Sequence, residues 1–507
     1  MIRSVLVLGA GSAGLIAAIS LKRKIPTLAV RIVRSREVGV IGVGESTTPN
    51  LIGHLFAYCR ISQKQFYALA NPTWKMGIHF LWGPRPCFEF GFVRQLDAQW
   101  SDLRRTHGFY CDEDFSYVDL NSAMMAEGKA FARQPEGGGP VIPPGHAFHL
   151  DNPKFVAALE VVAREIGIEF IDANVRGAER GPEGIAAVVL EPDGRRLEAD
   201  LFIDASGFRS ELLGKTLQEP FISFSPSLFC DRAVVGNWQR TDEPILPYTT
   251  AETMESGWCW RIEHEHAINR GYVYSSAAIS DDAARDEFLR KNPKAKTWDH
   301  VVKFVSGRYR RAWVDNVVGI GNACGFVEPL EATALMVTCW HAESLVDMLL
   351  HNDLSPTQTM RDLFNEAWSG TWDEIRDFLT LHYHRNGRIQ SDFWTHCEHD
   401  VDISRLKDVL EFYDQNGPTG FLRYKLGRHG NLFGVDGFLI ILVGLQYPYQ
   451  PKYQPSEAEW RNWNAHREHF RAQARMGMDV KEALTYVKHP NWHWYQENSA
   501  AHVSSQP

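Results

Sequence analysis

Residues 5–14 read Val5-Leu6-Val7-Leu8-Gly9-Ala10-Gly11-Ser12-Ala13-Gly14, and an apolar, helix-forming segment follows at residues 15–21. An apolar strand, a GxGxxG turn and a helix in that order are the context in which this motif binds a dinucleotide. The glycines permit a tight turn and let backbone N–H groups approach a pyrophosphate, which the helix N-terminus favours electrostatically. The stretch therefore predicts a Rossmann-like α/β fold whose first cofactor contacts are Gly9, Gly11, Ser12, Ala13 and Gly14.

The second strand signal, residues 28–33, ends at Arg34 rather than at the acidic residue that normally holds a ribose hydroxyl. Arginine at this place suits a 2′-phosphate, so the pattern leaves NADP open. Two later apolar segments run into turns of small residues, which begin at Asp204 and at Gly321. Such turns allow close backbone approach by a long, folded cofactor. Three of them in one chain favour FAD, with Arg34, Asp204 and Gly321 among its predicted contacts.

The composition is that of an ordinary globular protein, since hydrophobic residues make up 44% and charged residues 23% of the 507 residues. The net charge of -9 argues against nucleic acid or an anionic membrane surface as the partner, because both bind positive charge. The eight cysteines form no CxxC pair, which favours a reduced, cytoplasmic chain. The sequence shows neither a secretory signal nor an apolar run of roughly 20 residues. We therefore expect a cytoplasmic monomer or homodimer that acts on a small molecule.

The pattern along the chain predicts two regions. Residues 1–350 are expected to form an FAD-binding α/β core of the flavin monooxygenase type, with a mixed-sheet substrate region inserted at about residues 75–150 and 215–310. Residues 351–507 are helical in pattern and rich in Trp, His and Tyr. We expect this mainly helical region to pack on the core and cover the substrate.

Four segments match, in order, the motifs of one enzyme family. They read Gly42-Val43-Gly44-Glu45-Ser46-Thr47-Thr48-Pro49, Asp204-Ala205-Ser206-Gly207-Phe208-Arg209-Ser210, Gly257-Trp258-Cys259-Trp260-Arg261-Ile262 and Phe326-Val327-Glu328-Pro329-Leu330-Glu331. Together with the lysine of Asn71-Pro72-Thr73-Trp74-Lys75, they make residues 1–450 resemble the flavin-dependent tryptophan halogenase family. The resemblance implies an FAD enzyme that halogenates an electron-rich aromatic ring such as indole or tryptophan.

The resemblance also implies a mechanism and a set of residues. In that family, reduced FAD and oxygen oxidise chloride or bromide to hypohalous acid, which passes through a tunnel to a lysine and a glutamate beside the aromatic substrate. Lys75 and Glu331 occupy the matching positions and are the predicted catalytic pair. The implied flavin contacts continue with Gly42, Gly44, Glu45, Ser46, Thr47 and Leu330. Since the sequence shows no separate NAD(P)H site, an NAD(P)H-dependent flavin reductase that supplies FADH2 is the expected partner.

Lys75 lies in an alternating run that predicts one strand, in which Trp74, Met76, Ile78 and Phe80 share one face and Lys75, Gly77 and His79 the other. A lysine on a strand is ordinarily a solvated ammonium, and the family match is what favours a catalytic role. The ammonium can hydrogen-bond hypohalous acid, or the free amine can form a haloamine. The sequence leaves both routes open.

Glu331 stands where a turn enters an apolar helix predicted over residues 332–350. A carboxylate there can simply cap the helix, or it can remove the ring proton or orient the oxidant. Backbone N–H groups at a helix start can also bind halide, and the resemblance assigns this role to Thr333 and Ala334. The chain reads Glu331-Ala332-Thr333-Ala334 where the family reads E-S-T-G. We therefore expect a preference for bromide, which sheds its hydration more easily than chloride.

Trp258, Trp260 and Ile262 share one strand face by the period of two and form a bulky wall. Core packing explains such a wall, and by resemblance it keeps the substrate away from the flavin. Phe88 and Phe90 are weaker candidates for walls of the aromatic substrate site, with core packing as an equal explanation.

A histidine-rich segment contains residue types that can bind a metal ion. Residues 396–400 read His-Cys-Glu-His-Asp, with His382 and His384 upstream, but they complete no zinc-type spacing. We expect surface histidines on helices here and no metal site.

Two other functions stay open from the sequence. A flavin-dependent aromatic hydroxylase shares the nucleotide-binding segments but has no evident use for Lys75 paired with Glu331. A catalytically inactive flavin-binding protein is favoured by three departures from the family, at Arg34, at Ala332 and at Glu263, which replaces a proline.

Overall fold

The computed structural model describes residues 1–35, 37, 44–92, 102–103, 116–135, 138–297, 300–426, 432–450 and 454–494. Gly42, a predicted flavin contact, lies outside the described residues. The strands are β1 (Ser4–Leu8), β2 (Ala29–Arg34), β3 (Glu45–Ser46), β4 (Thr73–Lys75), β5 (Gly77–Leu81), β6 (Phe88–Gly91), β7 (Ala132–Arg133), β8 (Pro140–Val141), β9 (Ala147–Leu150), β10 (Glu169–Asp172), β11 (Val175–Gly181), β12 (Gly184–Leu190), β13 (Arg196–Leu197), β14 (Leu201–Asp204), β15 (Phe221–Ser223), β16 (Arg232–Gln239), β17 (Thr249–Met254), β18 (Gly257–Glu263), β19 (Ala267–Tyr274), β20 (Lys296–Thr297), β21 (Val302–Lys303), β22 (Gly307–Tyr309), β23 (Trp313–Val314), β24 (Val317–Gly319) and β25 (Gly325–Phe326). The helices are α1 (Ser12–Lys24), α2 (Asn50–Ile52), α3 (Gln63–Ala70), α4 (Leu120–Ala126), α5 (Asn152–Glu165), α6 (Asp281–Lys291), α7 (Ala334–His351), α8 (Gln358–His384), α9 (Asp392–His399), α10 (Lys407–Asn416), α11 (Gly434–Gly444), α12 (Glu457–Arg475) and α13 (Val480–Val487).

The predicted α/β core is a six-stranded sheet. Its strands follow the order β10-β2-β1-β14-β24-β23, and every neighbouring pair except β23 with β24 is parallel. Residues 5–8 of β1 are buried apolar side chains, as a parallel sheet covered on both faces requires. Helix α1 connects β1 to the parallel strand β2. The prediction of a Rossmann-like α/β core is confirmed.

The three turns of small residues meet at one edge of this sheet. The parallel strands β1, β14 and β24 end there side by side, with Leu8 opposite Asp204 and Asp204 opposite Gly319. Backbone hydrogen bonds join the ends, from Ala205 N to Leu8 O at 3.0 Å and from Ile320 N to Asp204 O at 2.9 Å. The turns therefore form one continuous rim, where α/β sheets ordinarily bind ligands.

A larger mixed sheet carries the tryptophan-rich strand β18. Its order is β20-β16-β19-β18-β17-β5-β6, and β21 also pairs with β16. A smaller sheet, β3-β9-β4, connects the Glu45–Ser46 strand to the strand that ends at Lys75. The smaller sheet brings the predicted flavin loop close to the predicted catalytic lysine, because β3 and β4 both pair with β9.

The alternating run around Lys75 is two strands rather than the one predicted. Lys75 ends β4 in the small sheet, whereas Gly77 begins β5 in the large sheet. Between them, the carbonyl of Met76 accepts a hydrogen bond from Phe92 N at 3.0 Å. A Cβ at residue 77 would lie 2.3 Å from the carbonyl oxygen of Phe90, so only glycine permits this close crossing. The break changes the partners of Lys75, which no periodicity argument could reveal.

Helix α7 begins later than predicted, at Ala334 rather than at residue 332. Pro329–Glu331 form a 3-10 turn, and Ala332 follows it with φ of 56° in the left-handed region. Every residue of a right-handed α-helix needs a negative φ, so the helix cannot include Ala332. Thr333 is the residue that directly precedes the helix. Glu331 is consequently held in a turn before the helix and is not its capping residue.

Beyond β25 the described elements are helices, from α7 to α13, which confirms the mainly helical C-terminal part. Helix α8 packs against α7 and against β23 of the core sheet. The boundary at residue 350 and the covering role of this region stay predictions. Among the described helices, none combines the length and the apolar character that a membrane span needs.

Candidate functional site

A cavity of about 880 Å³ opens at the rim of the core sheet, and its size is within the range of small-molecule and cofactor sites. The predicted flavin contacts that line it are Gly9, Gly11, Ser12, Ala13, Arg34, Gly44, Glu45, Ser46 and Gly321. Those that do not line it are Gly14, Thr47, Asp204 and Leu330. Most of the predicted cofactor residues are therefore brought to one cavity.

The glycines of the first turn divide into packing positions and an open position. A Cβ at Gly9 would lie 2.3 Å from Ala205 O, and a Cβ at Gly14 would lie 2.0 Å from Gly9 O. A Cβ at Gly11 would meet no protein atom within 4 Å, although Gly11 lines the cavity. The turn is therefore tight where it packs and bare where a ligand would approach the N-terminus of α1. These residues fit the pyrophosphate of a dinucleotide such as FAD.

Arg34 is already neutralised by two carboxylates. It forms ion pairs with Glu160 and Asp172, and Glu160 also lines the cavity. A guanidinium paired in this way is poorly suited to a 2′-phosphate, which favours FAD over NADP. Sequence reasoning missed Glu160 because it comes from α5, far along the chain from β2.

Asp204 does not line the cavity, in contrast to the prediction. Its buried carboxylate accepts hydrogen bonds from Leu212 N at 2.7 Å and Leu213 N at 2.8 Å, and from the hydroxyl of Ser206. Ser206 lies in the turn that follows β14, and Leu212 and Leu213 lie in the short helical segment 211–216 after it. Asp204 therefore orders this turn and shapes the cavity indirectly.

An aromatic wall separates the cavity from helix α8. Trp260 and Ile262 line the cavity, whereas Trp258 does not. The ring centroid of Trp258 lies 6.1 Å from that of Trp260 and 6.4 Å from that of Trp82. The indole N–H of Trp82 donates to the carbonyl of His382 at 2.8 Å. The predicted wall is present, and it is extended by Trp82, which sequence reasoning missed.

Lys75 is fully buried, with 0% of its surface exposed. Its Nζ donates to the carbonyl of Thr47 at 3.0 Å and lies 4.9 Å from the ring centroid of Phe92. Burial lowers the pKa of Lys75 to about 7, against the charge of Glu331, which raises it. The side chain is thus no solvated surface ammonium, and both its ammonium and amine forms are accessible near neutral pH.

Glu331 is buried against His382. The Oε1 atom of Glu331 lies 2.8 Å from Nε2 of His382, and only 3% of Glu331 and 1% of His382 are exposed. The Nδ1 atom of His382 lies 2.8 Å from the carbonyl oxygen of Phe378, one helical turn earlier. The imidazole is therefore held at both of its nitrogens.

These two contacts restrict where the protons of His382 lie. A carbonyl oxygen only accepts, so Nδ1 carries a proton and donates to Phe378 O. If Glu331 is ionised, Nε2 must donate as well and the ring is an imidazolium. If Glu331 is protonated, its O–H donates to Nε2 of a neutral ring. In both cases one proton is shared between the carboxylate and the imidazole.

His382 was expected at the surface, and this expectation is wrong. It lies on the inward face of α8, whose large buried residues recur at spacings of three or four: Phe364, Trp368, Trp372, Ile375, Phe378 and His382. This periodicity is readable in the sequence and could have placed His382 inside. His396 and His399 of α9 are exposed, as expected.

Phe88 and Phe90 are buried and do not line the cavity at the rim of the core sheet. The ring of Phe88 stacks on Phe80 with centroids 5.0 Å apart, and Phe90 lies 6.2 Å from Phe378. Phe80 in turn lies 5.5 Å from the ring of His382. The structure supports the core-packing explanation, in which these rings hold His382 in place.

The start of α7 faces the cavity. Ala334, its first residue, lines the cavity, and the buried Thr333 precedes it. Amide N–H groups in the first turn of a helix have no partner within the helix. The predicted halide-binding backbone is therefore located at the cavity, although Thr333 itself does not line it.

The turn before α7 lies between the two parts of the site. Pro329 and Ala332 line the cavity, whereas the side chain of Glu331, between them, is bonded to His382. Burial lowers the pKa of Lys75, and the charge of Glu331 acts on the same amine to raise it. One short turn thus joins the cavity to a buried lysine and glutamate.

Glu263 does not disturb the exit of β18. Its fully buried carboxylate forms ion pairs with Arg240 and, at 2.6 Å, with Arg261. The strand continues through this residue, which is paired with Ile268 of β19. The departure from the family's proline is accommodated by a buried ion-pair cluster.

The sequence profile of the tryptophan halogenase family matches residues 4–459. Tryptophan 7-halogenase KtzQ of Kutzneria sp. (strain 744) is 33% identical over 448 residues, which cover 82% of this chain and 83% of the relative. Tryptophan 7-halogenase RebH of Lentzea aerocolonigenes is 30% identical over 422 residues, which cover 78% of each chain.

Solved structures share the whole fold. MibH, a lathipeptide tryptophan 5-halogenase, is 35% identical with a TM-score of 0.87, over 96% of this chain and 94% of that one. BrvH, a flavin-dependent halogenase from Brevundimonas sp. BAL3, is 27% identical with a TM-score of 0.83, over 96% and 99% of the two chains.

Proposed function

This chain belongs to the tryptophan halogenase family and is a flavin-dependent halogenase, and we propose that it places bromine or chlorine on an electron-rich aromatic ring such as an indole. The observation that carries the proposal is a lysine and a glutamate, Lys75 and Glu331, both buried and electrostatically coupled beside the turn that lines the cavity. A flavin-dependent hydroxylase has no evident use for such a pair.

FAD, bound in reduced form, would supply two electrons to oxygen, and oxygen activated in this way would oxidise halide to hypohalous acid. The residues that would hold it are those of the cavity, with the Gly9–Ala13 turn at its pyrophosphate and Glu160 with Arg34 at one end. The Trp260 and Trp258 rings exclude the aromatic substrate from the cavity, so direct hydroxylation is disfavoured.

Lys75 directs the oxidant in this proposal. Its ammonium hydrogen-bonds the oxygen of hypohalous acid, withdraws electron density and makes the halogen more electrophilic. The carbonyl of Thr47 accepts a hydrogen bond from Nζ and orients it. Burial lowers the pKa of Lys75 to about 7 and the charge of Glu331 opposes this shift, so the ammonium form is present at and below neutral pH. We propose that this form acts by hydrogen bonding rather than through a haloamine.

Glu331 and His382 handle the proton of the ring. When the halogen adds to an aromatic carbon, that carbon must lose its proton to restore aromaticity. The carboxylate of Glu331 accepts this proton. Its hydrogen bond to His382 holds the carboxylate in position and compensates its negative charge. His382 is a positioning residue, since it acts through Glu331.

The halide is proposed to bind at the backbone N–H groups of Thr333 and Ala334 at the start of α7. Ala332 and Ala334 replace a serine and a glycine of the family pattern, which removes a hydroxyl that could replace halide hydration and stiffens the backbone. We infer a preference for bromide, since it loses its hydration more easily than chloride.

The substrate class is an indole, either free or within tryptophan. Named relatives act on tryptophan, and the neighbour MibH is named for a peptide substrate. We propose that an NAD(P)H-dependent flavin reductase is the second protein required, because the sequence shows no motif for a separate NAD(P)H site.

The experiment that tests this function uses the purified chain with FAD, a flavin reductase, NADH, sodium bromide and indole, followed by mass spectrometry. The proposal requires a product with the bromine isotope doublet. A product that gains one oxygen would instead identify a hydroxylase, and the absence of any organic product despite flavin binding would identify an inactive flavoprotein.

A further inference from the structure

A second group of reactive side chains lies on the hairpin of β5 and β6. His79 and Glu89 are paired across the two strands, and Cys87 lies just before β6. Their ligand atoms all lie within 4.8 Å of one another, with 3.2 Å between Nδ1 of His79 and Oε1 of Glu89. The function proposed above uses none of the three.

We propose that His79, Cys87 and Glu89 form a binding site for a divalent transition-metal ion, with zinc as the best match. A thiolate, an imidazole and a carboxylate are the three side-chain types that bind zinc. The soft thiolate ligand also favours a transition-metal ion, because magnesium and calcium prefer oxygen ligands alone.

The spacing suits tetrahedral coordination. Zinc–ligand bonds of about 2.0 to 2.3 Å place neighbouring ligand atoms roughly 3.3 to 3.8 Å apart in a tetrahedron. The His79–Glu89 distance of 3.2 Å is just below that range, and the other ligand pairs lie within 4.8 Å. Within the described part of the chain no fourth side chain joins the group, so water would complete the coordination.

The charge of the site is also matched to a divalent ion. Cys87 as thiolate and Glu89 as carboxylate contribute two negative charges, which a dication neutralises while His79 stays neutral. Glu89 is buried with 4% of its side chain exposed, and an unpaired carboxylate is costly there. In the metal-free protein the imidazole of His79 serves as the partner of this carboxylate, at 3.2 Å.

Neighbouring side chains hold two of the ligands in place. The ring of Tyr248 stacks on His79 with centroids 5.0 Å apart, which fixes the plane of the imidazole. The hydroxyl of Ser116 donates to Oε2 of Glu89 at 3.3 Å, so that Oε1 is directed toward His79. Metal sites commonly use such surrounding contacts to orient their ligands.

The site has a structural consequence for the halogenation machinery. On the opposite face of the same hairpin, Phe80 and Phe88 stack and pack toward His382. A metal that joins β5 to β6 would fix the register of the strands that carry these rings. The inference does not depend on the proposed halogenation, because metal binding is measured without flavin or substrate.

The test is zinc titration of the full-length protein after chelator treatment, by calorimetry, with cobalt(II) absorption as a second measurement. We expect one zinc per chain, release of protons on binding, and a thiolate-to-cobalt charge-transfer band. Cys87→Ser and Glu89→Gln should each weaken zinc binding by more than about 100-fold. His396→Ala is the matched control, because His396 also contacts a carboxylate, Asp400 at 3.1 Å, without a cysteine.

Folding of each variant is checked by thermal unfolding in the presence of a chelator. A well-folded Cys87→Ser or Glu89→Gln variant that binds zinc as tightly as the unmodified chain would overturn the proposal. Lack of zinc binding by the unmodified chain at micromolar concentration would overturn it equally.

Discussion

The Nε2 atom of His382 lies 2.8 Å from Oε1 of Glu331, and both side chains are buried. This contact joins helix α8 to the turn before α7 and places a proton between a carboxylate and an imidazole. Since Nδ1 of the ring is already engaged by Phe378 O, the ring cannot turn away without losing both hydrogen bonds. The carboxylate that is proposed to take the ring proton is therefore preorganised.

Replacement of His382 by leucine should lower kcat for halogenation by about 100-fold, because a small displacement of Glu331 is enough to misalign proton transfer. His382→Gln keeps an amide that can donate to the carboxylate and should recover part of the loss. Steady-state kinetics with indole should show the change in kcat with KM little affected. Equal impairment in both variants, together with equal loss of thermal stability, would reduce His382 to a packing residue.

The rate of halogenation should fall as pH rises through about 7, since the pKa of Lys75 is about 7 and its ammonium form is the one proposed to direct the oxidant. Glu331→Gln removes the charge that raises this pKa, so the falling limb should move to lower pH. The variant should also lose about 10²- to 10⁴-fold in rate. If the fall in rate came from ionisation of freely diffusing hypobromous acid, its midpoint pH would be the same in both proteins. This comparison serves as the internal control. A rate that rises through pH 7 would indicate the free amine instead.

Gly11→Val should weaken FAD binding without unfolding the chain. The new side chain meets no protein atom within 4 Å at its Cβ and projects where the cofactor fits. Overpacking of this kind costs about 1 to 3 kcal/mol, so flavin affinity should fall about 5- to 150-fold. Gly177→Val is the control, because its Cβ also meets nothing within 4 Å but lies outside the cavity. FAD affinity is measured by fluorescence titration. Equal affinities of the two variants for FAD would contradict the account.

Equimolar bromide and chloride should yield mostly brominated product. Ala332→Ser restores the hydroxyl of the family pattern and should shift the product ratio toward chloride. The ratio is read directly from the isotope patterns in one mass spectrum. Mostly chlorinated product from the unmodified chain would refute the inferred preference for bromide.

The α/β core could be predicted because its signals are local. The apolar segment at residues 5–8, the glycine turn and the first helix follow one another in the sequence, and the parallel sheet forms as they predict. The break at Met76 could not be foreseen, because it depends on the close approach of Phe90 O to Gly77. That contact is made only when β5 and β6 pair with each other in the large sheet.

The site was predicted in part for a similar reason. Lys75 and Glu331 were identified from motifs, and Trp260 from a motif and from strand periodicity. Glu160 and Trp82 contribute through contacts between distant segments, which the sequence does not encode locally. Asp204 shows the converse, because its motif marks a residue that orders a turn rather than one that lines the cavity.

The central claim is tested most directly by the amount of brominated indole formed per FADH2 oxidised in Lys75→Met, a substitution that keeps the side-chain volume in its buried site. The account predicts that flavin reoxidation continues at its normal rate while this ratio falls by at least about 100-fold. Lys154→Met, which changes an exposed lysine of α5, should leave the ratio unchanged. A ratio in Lys75→Met equal to that of the unmodified chain would contradict the assignment of Lys75 as the residue that directs the oxidant.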